Sequence, residues 1–440
     1  MKPKIKGAQR GQAMILIVLS IVALIAITGL AVDGGIVYAS RRQAQNAADA
    51  AAMAGSLARI QAIEGGIPAY NSTRTAALGR AASNGYNNDG ASNTVEVYNP
   101  PHSGYYSDCG NPAFDCTHYV QVIITSHIRT YFSPVVGITK IDNQVQAVAL
   151  AKGPTLEPPF DGNALVSLKP TSHDCSGDFI LGGSGEVEVE GGGIFVNSDN
   201  SSCAFVQDGC NVILDAIDSG ITSVGGLNFN LNCLNNLLGG HTTGADPVPF
   251  PPEETVSEPD ECSGTFGDVI NDRSASTSTL SPGSYNKFPP ASANQDNIIM
   301  QPGVYCVDYI KLSNSFQTLT GHNVFIYIRP GGYFSFQGAT TTLTARSSGD
   351  YKGLLIYVAS NFTGAPDNCT INGNATDVFT GTIYAPFCDI TINGNSNPAG
   401  FMSQIIGYEV KLNGSTLLKF VYDPDDGWKV LVPPKLGIFK

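Results

Sequence analysis

The sequence has no acidic residue before Asp33 and no cysteine before Cys109. It also lacks a Walker motif, a G-x-S-x-G elbow and an H-E-x-x-H pair, the sequence signs of a P-loop nucleotidase, an α/β-hydrolase and a zinc protease. There is no C-x-x-C, and the six histidines (His102, His118, His127, His173, His241, His322) have no ligand spacing, so a zinc site is not expected. Charged residues make up only 14%, and no basic patch is interleaved with aromatics, so nucleic acid is excluded as a partner. Gly182-Gly183-Ser184-Gly185 begins like a calcium-binding nonapeptide, but Val187 stands where that repeat needs Asp. No catalytic, cofactor-binding or metal-binding residue is therefore assigned.

Between Ala13 and Val32 the chain carries no charge, and its only polar side chains are Ser20 and Thr28. At about 1.5 Å per residue such a run is long enough to cross a hydrocarbon core of about 30 Å as a helix. Lipid offers the backbone amides no partner, so a helix is required there. Lys2, Lys4, Lys6 and Arg10 precede it, a bias that keeps the N-terminus in the cytoplasm and sends everything beyond Asp33 outside. A cleaved signal peptide, cut after Ala31, is the alternative, but the apolar run exceeds the usual signal length of about 7–15 residues. The Ala-rich stretch 41–58 is expected to prolong the membrane helix. Its small residues Ala47, Ala48, Ala51, Ala54 and Gly55 recur at three- and four-residue spacing, suiting close packing on the protein's own domain or on a partner helix.

Beyond the span lie 20 basic and 37 acidic residues, and the whole chain holds 49 Gly and 26 Pro, a composition that suits a secreted, turn-rich β protein. All ten cysteines fall in this part, as expected of disulfides in an oxidising compartment. The near pairs Cys109/Cys116 and Cys203/Cys210 are the simplest bridges.

Val32-Asp33-Gly34-Gly35, Tyr38, Arg41-Arg42 and the run from Gln45 through Asn46 and Asp49 to Gly55 follow the span, and Arg10-Gly11-Gln12-Ala13 opens it. Over residues 10–59 this resembles the N-terminal segment of TadG-like proteins of the tight-adherence (Tad, or Flp) pilus assembly system. The resemblance implies a single-pass protein of the bacterial cytoplasmic membrane that helps assemble or anchor pili, with other pilus-assembly subunits of the pilin-like kind as partners. It also implies that Asp33, Tyr38, Arg41, Arg42, Gln45, Asn46 and Asp49 face a partner or the lipid headgroups. Read from the residues, Asp33 and Asp49 are interface or helix-capping carboxylates. The D-x-S-x-S metal motif of many TadG relatives is absent. Processing at Gly11 would put Leu16 rather than a glutamate at the fifth mature position, against a polymerised major pilin.

The fold expected is α+β followed by all-β. Residues 1–11 form a cytoplasmic tail and 12–33 a transmembrane helix. Residues 34–152 form an α+β module that resembles a pilin, with a helix over 73–85 and strands over 94–98, 119–124 and 144–150. Residues 153–160 are a linker, and 161–440 a right-handed β-solenoid. The solenoid rests on a repeat: Thr370-Ile371-Asn372-Gly373 returns at Thr391-Ile392-Asn393-Gly394 and at Lys411-Leu412-Asn413-Gly414. Asn and Gly tolerate the positive φ of tight corners. A β-sandwich with Asn-Gly hairpins is the competing fold. Cys369 and Cys388 lie about one coil apart, a rung-to-rung staple. Residues 239–297, rich in Pro, Ser and acids, read as an extended, partly mobile excursion.

Two other functions fit a solenoid. One is an adhesin that binds a surface glycan. The other is a polysaccharide-active enzyme, which would need paired carboxylates such as Asp215/Asp218 or Asp367/Asp389 on neighbouring rungs. Glu186, Glu188 and Glu190, alternating with valines, read as a solvent-facing stripe.

Overall fold

The computed structural model describes residues 10–439 apart from 112–113, 172–177, 185, 208–210, 215–219, 230–239, 253–254, 264–265, 294, 313–316, 360–366, 374–375, 395–399 and 415–416. The chain divides into two compact units, Met1–Thr155 with Leu431–Lys440, and Leu156–Val430.

In the first unit, helix α1 runs unbroken over Arg10–Glu64, 55 residues with no proline. It is long and apolar enough to cross a membrane. It ends where Gly66 takes φ +66° and Ile67 N–H donates to the Ala62 carbonyl at 2.9 Å, a Schellman closure. Pro68 then leads into α2 (Ala69–Ser83). Strands β1 (Asn93–Tyr98), β2 (Tyr119–Arg129) and β3 (Lys140–Lys152) pair antiparallel in sequence order. The last strand, Lys435–Phe439, adds to the free edge of β3. This corrects the expectation that residues up to 440 belong to the solenoid.

The stripe Ala44, Ala47, Ala48, Ala51 and Ala52 of α1 is buried against Ala77, Val95, Val122, Ile124 and Val145. Its spacing of three and four keeps one face of a 3.6-residue helix on the sheet. Gly55 lies where α1, α2 and β2 meet: a Cβ there would stand 3.2 Å from that of Ala77 and 3.4 Å from Val120 Cγ1. Of the two occupants expected for this stripe, the chain's own domain takes Ala47, Ala48, Ala51 and Gly55, and Ala54 stays half-buried. The Cys109–Cys116 bridge forms as expected.

The second unit is strand-rich, and its strands stack in parallel ladders. The longest runs from Gly283–Tyr285 through Gly303–Val307, Val324–Ile328 and Leu354–Val358 to the strands Val378–Gly394 and Met402–Gly414. It then continues not forward in sequence but back, to Leu165–Ser167, Ile194–Val196, Ile221–Ser223 and His241–Thr243. The chain thus enters mid-ladder, climbs to one end, crosses to the other end and climbs back to its starting point.

The sequence repeat is the pairing register. Asn372, Asn393 and Asn413 are consecutive partners, and each amide donates to the preceding one at 2.9 Å. The next partner of Asn413 is Gly182, where a Cβ would lie 2.7 Å from the Asn413 amide oxygen. The interior is a continuous apolar stack that includes Phe336, Phe379, Phe401 and Phe420. The Cys369–Cys388 bridge forms as expected. Cys203 is disulfide-bonded, and its expected partner Cys210 lies outside the described residues.

The expected mobile excursion is corrected. From Val269 onward it consists of ladder strands, and its described part over 245–266 is a strap seated on the ladders. Val248 exchanges hydrogen bonds with the Asn197 side chain at 2.8 and 3.0 Å. Phe250 packs on Phe387 and Tyr408, and Glu258 pairs with Arg329 at 3.3 Å. A Cys262–Cys306 bridge, not foreseen, pins the far end. Proline-rich backbone needs few hydrogen bonds of its own, so side-chain contacts and the bridge can seat it. The Glu186–Glu190 stripe is likewise not simply solvated. Lys419, the register partner of Glu188, lies 3.2 Å from it and also bridges Glu190.

Candidate docking site at the helix exit

The residues singled out along α1 divide into two sets. Asp33 is buried, and its carboxylate is the cap of the β2–β3 loop. It accepts the amide of Tyr131 at 2.9 Å, that of Phe132 at 3.1 Å, that of Ser133 at 2.7 Å and the Ser133 hydroxyl at 2.6 Å. These amides open the short 3-10 turn Ser133–Val136, whose first donors have no internal partner. Asp49 is held by Gln45, whose amide donates to it at 2.8 Å and to the Gln146 carbonyl of β3 at 2.9 Å. Asp33, Gln45 and Asp49 therefore tie α1 to its own sheet.

Tyr38, Arg41, Arg42 and Asn46 are exposed. At offsets of three, four and eight residues they form one stripe beside the buried alanines. A phenol, two guanidinium groups and a carboxamide on a rigid helix make a polar surface suited to acidic groups or headgroups.

Of the two candidate carboxylate pairs in the strand-rich unit, one is described, and it does not assemble. Asp215 and Asp218 lie outside the described residues. Asp367 partners Cys388 while Asp389 partners Asn368, an offset of one position that turns the two acids to opposite faces. Asp389 instead stands beside its register partner Glu409, and Lys169 bridges Glu409 and the fully buried Asp178, 3.1 Å from the latter. No local spacing signals this group, because Lys169 and Glu409 are 240 positions apart. Burial and then the Glu409 charge push the Asp389 carboxyl up to about 7, with Lys169 opposing.

The folded state therefore holds a proton that the unfolded chain releases near 3.8. The contribution of Asp389 to stability is expected to be full below about 4, to fall as pH rises towards about 7, and to be lost above. Asp389→Asn should remove that slope, raising the urea midpoint at pH 8 and leaving it unchanged at pH 4. Parallel pH profiles of the two proteins would disprove the assignment.

Residues 11–62 match the family described as putative Flp pilus-assembly TadE/G-like. Residues 257–425 match a family described as a domain of unknown function (DUF7305). No curated protein and no solved structure matches the chain. The N-terminal segment is TadE/G-like, and the matched stretch coincides with α1 from the start of the apolar run almost to its cap.

Proposed function

We propose that this protein is a structural component of a Tad-type pilus-assembly apparatus, held in the bacterial cytoplasmic membrane by α1. The tail carrying Lys2, Lys4, Lys6 and Arg10 lies in the cytoplasm and the rest of the chain outside. The observation that carries this reading is the TadE/G-like match laid over one uninterrupted helix, apolar in its first half and packed on its own sheet in its second. In this reading the sheet and helix form a pilin-like module. The parallel ladders wind as a right-handed β-solenoid, a stiff body whose role is mechanical rather than catalytic. The exposed stripe Tyr38, Arg41, Arg42 and Asn46 is the surface offered to other pilus-assembly subunits.

Reversing charge in Arg41→Glu with Arg42→Glu is expected to reduce surface piliation several-fold in cells that depend on this protein. Both guanidinium groups are exposed, so the thermal unfolding of the purified protein should not change. Normal piliation in the double variant would remove the docking role of the stripe.

A further inference from the structure

We propose that the β2–β3 loop, Thr130 to Ile138, is a second membrane contact, immersed in the acyl chains beside α1. This rests on the reading of α1 as a membrane span.

The loop does not stop at the end of the apolar run. Phe132 lies against Gly29 so closely that a Cβ on that glycine would stand 2.6 Å from the Phe132 Cβ. An open apolar groove of about 480 Å³ continues downward between loop and helix, lined by Val22, Ile25, Ala26, Leu30, Phe132 and Val135. From Asp33 to Val22 is about 16 Å along the helix, comparable to half the hydrocarbon thickness of about 30 Å. If α1 spans the bilayer, this loop has no aqueous place to be.

Its chemistry agrees with its depth. No charged residue occurs from Thr130 to Thr139. Val135 is 90% exposed, Tyr131 70%, Ile138 48% and Phe132 43%. The backbone donors that hydrocarbon would leave orphaned are already used. Three go to Asp33, and those of Val135, Gly137 and Ile138 go to Phe132, Pro134 and Ser133 carbonyls at 3.0–3.2 Å. Asp33 thereby renders a turn of irregular backbone compatible with lipid. Arg129 and Lys140, partners in register, flank the base of the loop, where they meet lipid phosphates. An apolar tip above a basic collar is the pattern of interfacial insertion.

The test uses the full-length protein reconstituted in phosphatidylcholine–phosphatidylglycerol vesicles containing lipids brominated along the acyl chain. Val135→Trp provides the probe, and Val135 is so exposed that Trp there leaves the fold intact. Leu19→Trp, within the span, is the reference, and the wild-type protein gives the background of Trp428. The expected result is Val135→Trp quenching within about twofold of Leu19→Trp quenching. Quenching of Leu19→Trp alone would overturn the loop contact and leave the anchor standing. A blue-shifted but unquenched Val135→Trp would show a protein cover instead of lipid, and would equally overturn it. Loss of quenching in both would remove the span reading itself.

Discussion

Replacing Cys262 and Cys306 together by serine should cost the strand-rich unit about 4 kcal/mol, the chain-entropy value for a bridge closing 44 residues. The bridge fixes the strap at one end, and the Asn197–Val248 pair holds the other. Without the covalent link, the strap between them depends on Phe250, on Val256 and on the exposed Glu258–Arg329 pair, which contributes little by itself. Trp428, the only tryptophan, packs on Tyr384 in the same unit and reports its unfolding directly. A lowered urea midpoint by Trp428 fluorescence, with new cleavage by a Glu-specific protease at Glu258 or Glu261, is the expected outcome. An unchanged midpoint and an uncut strap would show that the apolar contacts alone hold it.

Lys169→Met should be of similar severity, about 3–5 kcal/mol, because it strands the Asp178 carboxylate in the interior. That side chain is fully buried, and the ammonium 3.1 Å away is its ionic partner. The accompanying release of Glu409 adds little, since that group is part-exposed. Adding Asp178→Asn to Lys169→Met should recover most of the loss, for then no uncompensated charge remains inside. If the single variant unfolds at the wild-type urea concentration, Asp178 must already be held by something other than Lys169.

The repeat Asn372, Asn393, Asn413 was legible in the sequence because in a parallel ladder the pairing register equals the offset along the chain. The alanine stripe was legible because a helical face repeats at 3.6 residues. Cys109–Cys116 and Cys369–Cys388 were found by proximity, and Cys262–Cys306 was missed because the strap alone brings those residues together. Asp33 was read as an interface or capping carboxylate, but its amide partners lie 98 to 100 positions away, beyond any spacing rule. The order of the ladder was illegible for a deeper reason. Each rung presents the same backbone edge above and below, so nothing local says that Ile405 must pair with Leu165. The strand Lys435–Phe439 is five residues of ordinary composition, and only the open edge of β3 gives it a place.

The re-entry of the ladder at Leu165 has a mechanical consequence. Both ends of the strand-rich unit lie at one seam, where Met402–Gly414 and Leu417–Val421 meet Leu165–Ser167, Phe179–Gly183 and Glu186–Glu190. Tension applied through those ends loads this single joint and spares the arms on either side. The strap spans the same joint, gripping Asn197 on one side and Cys306 on the other. Were the joint to open under load, the two arms would swing apart on a covalent leash rather than unravel.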